Sequence, residues 1–285
     1  MSTLSTLIKA AALASLGGAG ALIYAHRAAD RLTITPLSFL HSAVPRAFHG
    51  YRIAQFSDIH IDETRRSVER LHRAVDAINA AAPDLIVCTG DFVTQRFRLH
   101  PHDLTEALRR LHAPDGVLAI LGNHDHRYNR LITQRALAEV GITELENAVT
   151  TLRRGADVLH IAGVDSMVRQ RARLDAVLAV LPADGMAILL AHEPDYADIA
   201  AASGRFTLQL SGHTHGGQIN LPLANRLGLP VYGRRYTGGF YNVRGMWLYV
   251  NRGIGTSGVP LRLRARPEIT IFTLGYMNLL QEQKK

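Results

Sequence analysis

The chain has a single cysteine, Cys88, so no internal disulfide can form and no thiolate cluster can hold a metal. Cys88 lies in the apolar run Leu85–Thr89 and reads as a small core residue. Aromatic residues make up only 6%, and no aromatic-rich motif accompanies the basic charge, so no nucleic-acid partner is expected. Lysine is scarce, and the formal net charge of +8 is carried mainly by arginine. There is no internal repeat, low-complexity tract, interdomain linker or evident protein-docking motif. What remains is a chain of 285 residues, 47% hydrophobic and 20% charged, which suits a globular domain with a large core. Its basic surface favours anionic partners, either phosphate esters or anionic lipid headgroups.

One long apolar run stands apart. Leu4 to Ala25 is interrupted by Lys9 and is just long enough to cross a bilayer as a helix. Residues 1–30 are therefore expected to form an N-terminal membrane anchor, a hydrophobic helix ahead of a catalytic domain over 31–285. A cleaved signal peptide and an amphiphilic surface helix are the alternatives, but no small-x-small cleavage site precedes Arg27. Arg27, Arg31 and Arg46 outnumber Lys9, which leans towards a cytoplasmic catalytic domain at the bacterial inner membrane. A periplasmic or exported domain is the alternative.

Beyond the anchor, strands and helices alternate. Leu32–Leu40, Tyr51–Phe56, Leu85–Thr89 and Val117–Leu121 read as strands in the first half. Val68, Leu71, Val75, Ile78 and Ala82 recur at helical spacing until Pro83, and a second helix starts near Asp103. Further helices are expected over Leu131–Val140 and Arg173–Leu181. Leu152–Val164 reads as two strands around a turn, and Met186–Ala191, Phe206–Leu210, Met246–Val250 and Ile269–Leu274 as single strands. The pattern predicts an α/β fold of two packed mixed sheets flanked by helices.

Polar residues collect where these strands end. Asp58 with His60, Asp91, Asn123 with His124, His192, and His213 with His215 fall at five such places. Singly, each has an ordinary reading: an Asp before a turn is often a cap, and Gly-Asn is a common turn pair. Jointly they offer two carboxylates, one amide and five imidazoles. That set suits borderline or hard divalent ions such as Mn, Zn, Fe or Mg. It is too many donors for one tetrahedral site and about right for two ions sharing a carboxylate. Such a pair can clamp a phosphoryl group for in-line displacement.

The order D-x-H, G-D, G-N-H-D, H and G-H-x-H resembles the calcineurin-like metallophosphoesterase superfamily over about Tyr51 to Leu274. Ser57-Asp58-Ile59-His60, Gly212–Gln218 and Tyr249–Gly255 are similar to its bacterial membrane-associated branch. That branch includes a phosphodiesterase, an exported cell-wall-associated phosphoesterase and a UDP-2,3-diacylglucosamine pyrophosphohydrolase of lipid A synthesis. The resemblance implies that Asp58, His60 and His215 hold one ion and that Asn123, His192 and His213 hold the other, with Asp91 bridging. It implies His124 near the leaving oxygen, as general acid or as stabiliser of the developing charge, and a metal-bridging hydroxide as nucleophile, leaving Ser57 and Cys88 structural. The implied substrate is a phosphate ester or nucleotide-lipid, with membrane lipids as partners. A broad-specificity, cell-wall or phospholipid phosphodiesterase is the alternative, and a non-catalytic scaffold is the rival from another class.

Two positions depart from the superfamily pattern. Thr94 and Gln95 stand where many members carry an Asp that orients the catalytic His and a neighbouring Arg. Asp125 or Arg96 is the expected substitute. Outside the motifs, Ile219–Val231 is an apolar loop suited equally to an acyl chain or to ordinary packing. Arg234 and Arg235 are candidate phosphate contacts. Arg262, Arg264 and Arg266 alternate, and are expected to form a solvated face. Asn251 and Arg252 are placed near the site without a role.

Overall fold

The inner strands Leu85–Cys88, Met186–Leu190 and Leu208–Ser211 of the computed structural model are buried on both faces because each sheet is covered twice. Residues 18–62, 64–94, 102–128, 130–220 and 228–278 are described. One sheet combines β1 (Thr33–His41), β2 (Arg52–Phe56), β3 (Leu85–Cys88), β4 (Val117–Ala119), β5 (Thr143–Glu144) and β12 (Glu268–Tyr276) in the order β1-β12-β2-β3-β4-β5. The other combines β6 (Ala148–Arg154), β7 (Asp157–Gly163), β8 (Met186–Leu190), β9 (Leu208–Ser211), β10 (Gly239–Val243) and β11 (Met246–Val250) in the order β10-β11-β9-β8-β7-β6. Both are mixed: β2 to β5 run parallel, as do β7, β8, β9 and β11, with antiparallel neighbours at β12/β2, β6/β7 and β10/β11.

The period-2 alternation of side chains sorts each strand into two cores. Leu85 and Val87 of β3 point into the inter-sheet core with Met186, Ile188 and Leu190 of β8. Ile86 and Cys88 face the helices on the first sheet's outer side, so Cys88 is a buried core thiol as expected. Those helices are α2 (Arg65–Ala80), α3 (His102–Arg109) and α5 (Arg130–Glu139). Leu71, Val75 and Ile78 of α2 and Leu104 and Leu108 of α3 supply the apolar stripes. Thr64 caps α2, its hydroxyl accepting from the Ser67 amide. Ala187 and Leu189 face outward on the second sheet, against α6 (Leu174–Val180) and α7 (Ala197–Ala202). The result is the predicted sandwich of two mixed sheets flanked by helices.

Three expectations change. Val117–Leu121 was expected as one strand, but β4 stops at Ala119, and Ile120 and Leu121 run on into the site loop. Gly122-Asn123-His124-Asp125 was expected as a strand end, yet Asn123 already begins a short helix, α4 (Asn123–Tyr128). Its six residues carry no apolar repeat long enough to read in sequence. The glycine-rich segment after Gln218 contributes β10, which gains its partner only by pairing with β11.

Residues 18–28 form a helix, α1, whose Ala25 and Ala28 are buried while Leu22, Ile23 and Tyr24 are exposed. The carbonyl of Ala25 accepts from the Arg262 amide, and Asp30 just beyond α1 pairs with Arg66 of α2. Most of the expected anchor, residues 1–17, lies outside the described residues. Among the described residues, no helix is long and apolar enough to cross a membrane.

Candidate metal centre

Every expected site residue follows a strand's C-terminal end, where parallel strands release their chain towards one edge of the sandwich. Asp58 and His60 follow β2, Asp91 follows β3, and Asn123 and His124 open the helix after β4. His192 follows β8, and His213 and His215 follow β9. Five of these residues hold left-handed backbone torsions: φ is 51° at Asp58, 47° at His60, 58° at Asp91, 74° at His213 and 53° at His215. Non-glycine residues avoid this region at a cost of order 1–3 kcal/mol each, so the surrounding fold must enforce it. The tight turns aim consecutive side chains into one place instead of alternating them across a sheet.

The side chains form two groups around Asp91. On one side His215 Nε2 lies 3.4 Å from Asp58 Oδ1 and 2.9 Å from His60 Nε2. On the other, His213 Nδ1 lies 3.2 Å from His192 Nε2. Asp91 Oδ2 stands between, 3.5 Å from His60 Nε2 and 3.2 Å from His192 Nε2. The ring of His124 lies 4.7 Å from that of His60, centroid to centroid. A cavity of about 180 Å³ opens over the cluster, lined by Asp91, Asn123, His124, His213 and His215.

Neighbours fix these rings and carboxylates. Thr89 O takes the other His192 nitrogen, Nδ1, at 2.7 Å, and Val231 O takes His213 Nε2 at 2.9 Å. A carbonyl accepts only from a protonated ring nitrogen, so each contact fixes which nitrogen carries that hydrogen and turns the other towards the cluster. The amide of His213 donates to Asp58 Oδ1 and Oδ2 at 3.1 and 3.0 Å, and the amide of His124 to Asp91 Oδ1 at 2.8 Å. Gly122 leaves no room for a side chain: a Cβ there would sit 2.1 Å from Asp91 Oδ1.

Burial dominates the electrostatics. It pushes the Asp58 carboxyl up to about 6, with the Asp91 charge adding to it and His192 opposing. It pushes His60 down to about 3 and holds His213 and His215 below the usual imidazole range. For His192 burial is outweighed by the facing Asp91 carboxylate, which raises its pKa well above the ordinary value. The same contact, acting against burial, holds Asp91 low.

The donors fit divalent cations. Asn123 Oδ1, His60 Nδ1 and His124 Nδ1 are buried without a hydrogen-bond partner. Asp58, His60 and His215 could hold an ion, and so could Asp91, His192 and His213. Their nitrogen and oxygen atoms suit Mn, Zn, Fe or Mg.

Two sequence expectations are corrected here. Arg262 was expected on a solvated face with Arg264 and Arg266, but it is fully buried. Its guanidinium lies 3.1 Å from His215 Nδ1 and donates to the carbonyls of His215 (3.0 Å), Arg252 (2.7 Å) and Ala265 (3.1 Å). Arg264 and Arg266 are exposed as expected. Asp125 was expected to orient the His124 ring. Instead it is fully buried and accepts from the amides of Asp91 (2.9 Å), Phe92 (2.9 Å), Val93 (3.2 Å) and Gly122 (2.9 Å). Burial and the Asp91 charge push its carboxyl up, and the Gly122 and Val93 amides and His192 work against them. It therefore locks the Asp91 loop to the start of α4. Gln95 and Arg96 lie outside the described residues.

Sequence reasoning missed His126, whose Nε2 contacts Asp165 at the end of β7 and so ties α4 to the second sheet. No spacing signal connects two residues that far apart. Arg235 pairs with Asp198 rather than reaching the cluster. Asn251 is buried and bonds Thr270 Oγ1 at 2.9 Å, joining the two sheets.

The family model of the calcineurin-like phosphoesterases matches residues 51–217. A metallophosphoesterase of Bacillus subtilis, YkuE, is 37% identical over 274 residues, 95% of this chain and 94% of that protein. The phosphodiesterase YaeI of Escherichia coli is 34% identical over 197 residues, 67% of this chain and 70% of that protein. An archaeal phosphodiesterase of known structure aligns with 82% of this chain and 96% of its own at 15% identity and a TM-score of 0.42. The chain belongs to the calcineurin-like phosphoesterase family and is a metal-dependent phosphoester hydrolase.

Proposed function

We propose that this hydrolase uses two divalent ions to cleave a phosphodiester or pyrophosphate bond. The observation that carries the reading is the position of Asp91, whose Oδ2 is within 3.5 Å of His60 on one side and 3.2 Å of His192 on the other. Asp58, His60 and His215 would hold one ion, Asn123, His192 and His213 the other, and Asp91 would contact both. Bound there, the ions would polarise the phosphoryl group and acidify a water, so no Ser or Cys nucleophile is needed. His124 lines the cavity and is the candidate to protonate the leaving oxygen. His192 holds Asp91 in place, and Gly217 lines the metal cavity.

The substrate we favour is an amphiphilic nucleotide ester of the UDP-2,3-diacylglucosamine type. A 180 Å³ cavity takes the reacting phosphoryl and its nearest atoms, so a larger substrate must lie over the rim. That rim includes Pro230 and Ser257, and Val231, Tyr232 and Val259 beside them are 56%, 39% and 47% exposed. Exposed apolar residues on a rim suit an acyl chain or a membrane surface. An N-terminal anchor over 1–30, with the catalytic domain over 31–285 on the cytoplasmic side, belongs to the same reading. The similarity to the phosphodiesterase YaeI favours the second reading, a broader phosphodiesterase.

Two assays separate these. Release of UMP from UDP-diacylglucosamine by the Mn-loaded protein is expected, and no release alongside turnover of a generic aryl phosphodiester would leave the broader activity. No turnover of either, with no bound metal by elemental analysis, would refute the hydrolytic reading.

A further inference from the structure

Beside the His215–Gly217 loop lies a second cavity of about 440 Å³ that none of the proposed metal ligands lines. The two cavities share that loop. His215 and Gly217 face the metal cavity, and Gly216 between them faces the second. Two arginines reach this second cavity, Arg252 and Arg264. Arg252 is held by its inner side: its Nε donates to Glu268 Oε2 at 2.9 Å, and its amide to the same oxygen at 3.2 Å. Glu268 is buried and also accepts from the Tyr249 hydroxyl at 2.9 Å. Its charge is therefore fully engaged. The outer amino groups of Arg252, on a side chain 32% exposed, have no protein partner among the described residues. A guanidinium locked through Nε with its outer nitrogens free is pre-arranged for an oxyanion. Arg264 is exposed, pairs with no carboxylate among the described residues, and brings the charge of the cavity to one positive after Glu268 is counted.

The cavity continues along β1. Thr35 and Leu37 line it, and Phe39, two residues on and on the same strand face, lines an adjoining cleft of about 180 Å³. Phe240 borders both, and Leu40 and Trp247 complete the apolar cleft. Phe240 and Leu40 are 37% and 46% exposed. One surface thus passes from two arginines to four apolar side chains.

We propose that this groove is an accessory site for a discrete amphiphilic phosphate, its anionic head between Arg252 and Arg264 and its apolar tail on Phe240 and Trp247. The site is separate from the metal centre and does not depend on what that centre hydrolyses. Charge complementarity fixes the head, and the apolar cleft begins about two strand residues, roughly 7 Å, further on.

Trp247 is the only tryptophan in the chain, so its emission reports on this groove alone. Octylphosphonate, which the enzyme cannot hydrolyse as an ester, should shift that emission saturably in the metal-loaded protein. Inorganic phosphate and octanol should each bind at least tenfold more weakly. Arg264→Ala, an exposed change, and Arg252→Gln should each weaken octylphosphonate at least tenfold, while Asp91→Ala should leave it unchanged. Absence of a saturable shift, equal binding of inorganic phosphate, undiminished binding to Arg264→Ala or loss of binding in Asp91→Ala would each overturn the proposal.

Discussion

The guanidinium of Arg262 lies 3.1 Å from Nδ1 of His215, with no water-exposed surface on the arginine. The contact fixes the imidazole ring with Nε2 turned towards Asp58 and His60. The same group binds carbonyls at 215, 252 and 265, so one buried cation organises the loops on which the Gly212–Gln218 motif rests. Burial lowers its pKa to about 9, which still leaves it charged at neutral pH.

Arg262→Ala should therefore cost on the order of 3 kcal/mol or more, because several buried carbonyls lose their donor. Arg262→Lys should not restore the wild-type fold stability, since a point charge cannot span the same acceptors. Thermal unfolding of the metal-free proteins checks this. A melting temperature unchanged in Arg262→Ala would contradict the organising role.

His213 and His215 are neighbours in sequence but belong to different groups, one with His192 and the other with Asp58 and His60. Each alanine variant should lose about one metal equivalent and keep the other, with activity falling at least a hundredfold in both. Elemental analysis after gel filtration gives the count. Loss of both ions in either variant would refute the division.

Asp91→Ala should remove both ions and nearly all activity, since its Oδ2 faces both groups. Wild-type turnover by a folded Asp91→Ala protein would exclude the shared ligand.

The pH dependence of metal uptake follows from two groups. In the metal-free protein His192 is protonated beside Asp91, and Asp58 titrates near 6. Both must release a proton to serve as ligands, so affinity falls as pH falls. Between pH 7 and 6 the loss should be about tenfold per pH unit from His192, and below 6 it should steepen as Asp58 takes up a proton. His60, held near 3, contributes nothing in this range. Calorimetric titration with Mn from pH 5 to 7.5 tests the sign, and a flat profile would contradict it.

Gly122→Ala should disable the site without touching a ligand. The added Cβ would meet Asp91 Oδ1 at 2.1 Å and the Asp91 amide at 2.7 Å, both held in place by Asp125 and α4. An activity loss of tenfold or more with intact secondary structure is expected, and wild-type kcat would show that the loop yields.

The α/β sandwich and the eight candidate residues of the site are legible in one dimension. Both depend on local signals: apolar strands of five residues or so, a helical stripe such as Leu71-Val75-Ile78, and polar residues placed just after strands. Local signals also place Cys88 in the core. Which ligands share a group is a tertiary matter, because His213 meets His192 from the β8 loop while His215 meets Asp58 and His60 from the β2 loop. Tertiary structure alone made Asp125 a lock on the Asp91 loop and Arg262 a buried brace. The alternation Arg262, Arg264, Arg266 looks solvated in one dimension. Only the packing of α1, the Gly253–Gly255 turn and the His215 loop against one of these arginines supplies the carbonyls that make its burial tolerable.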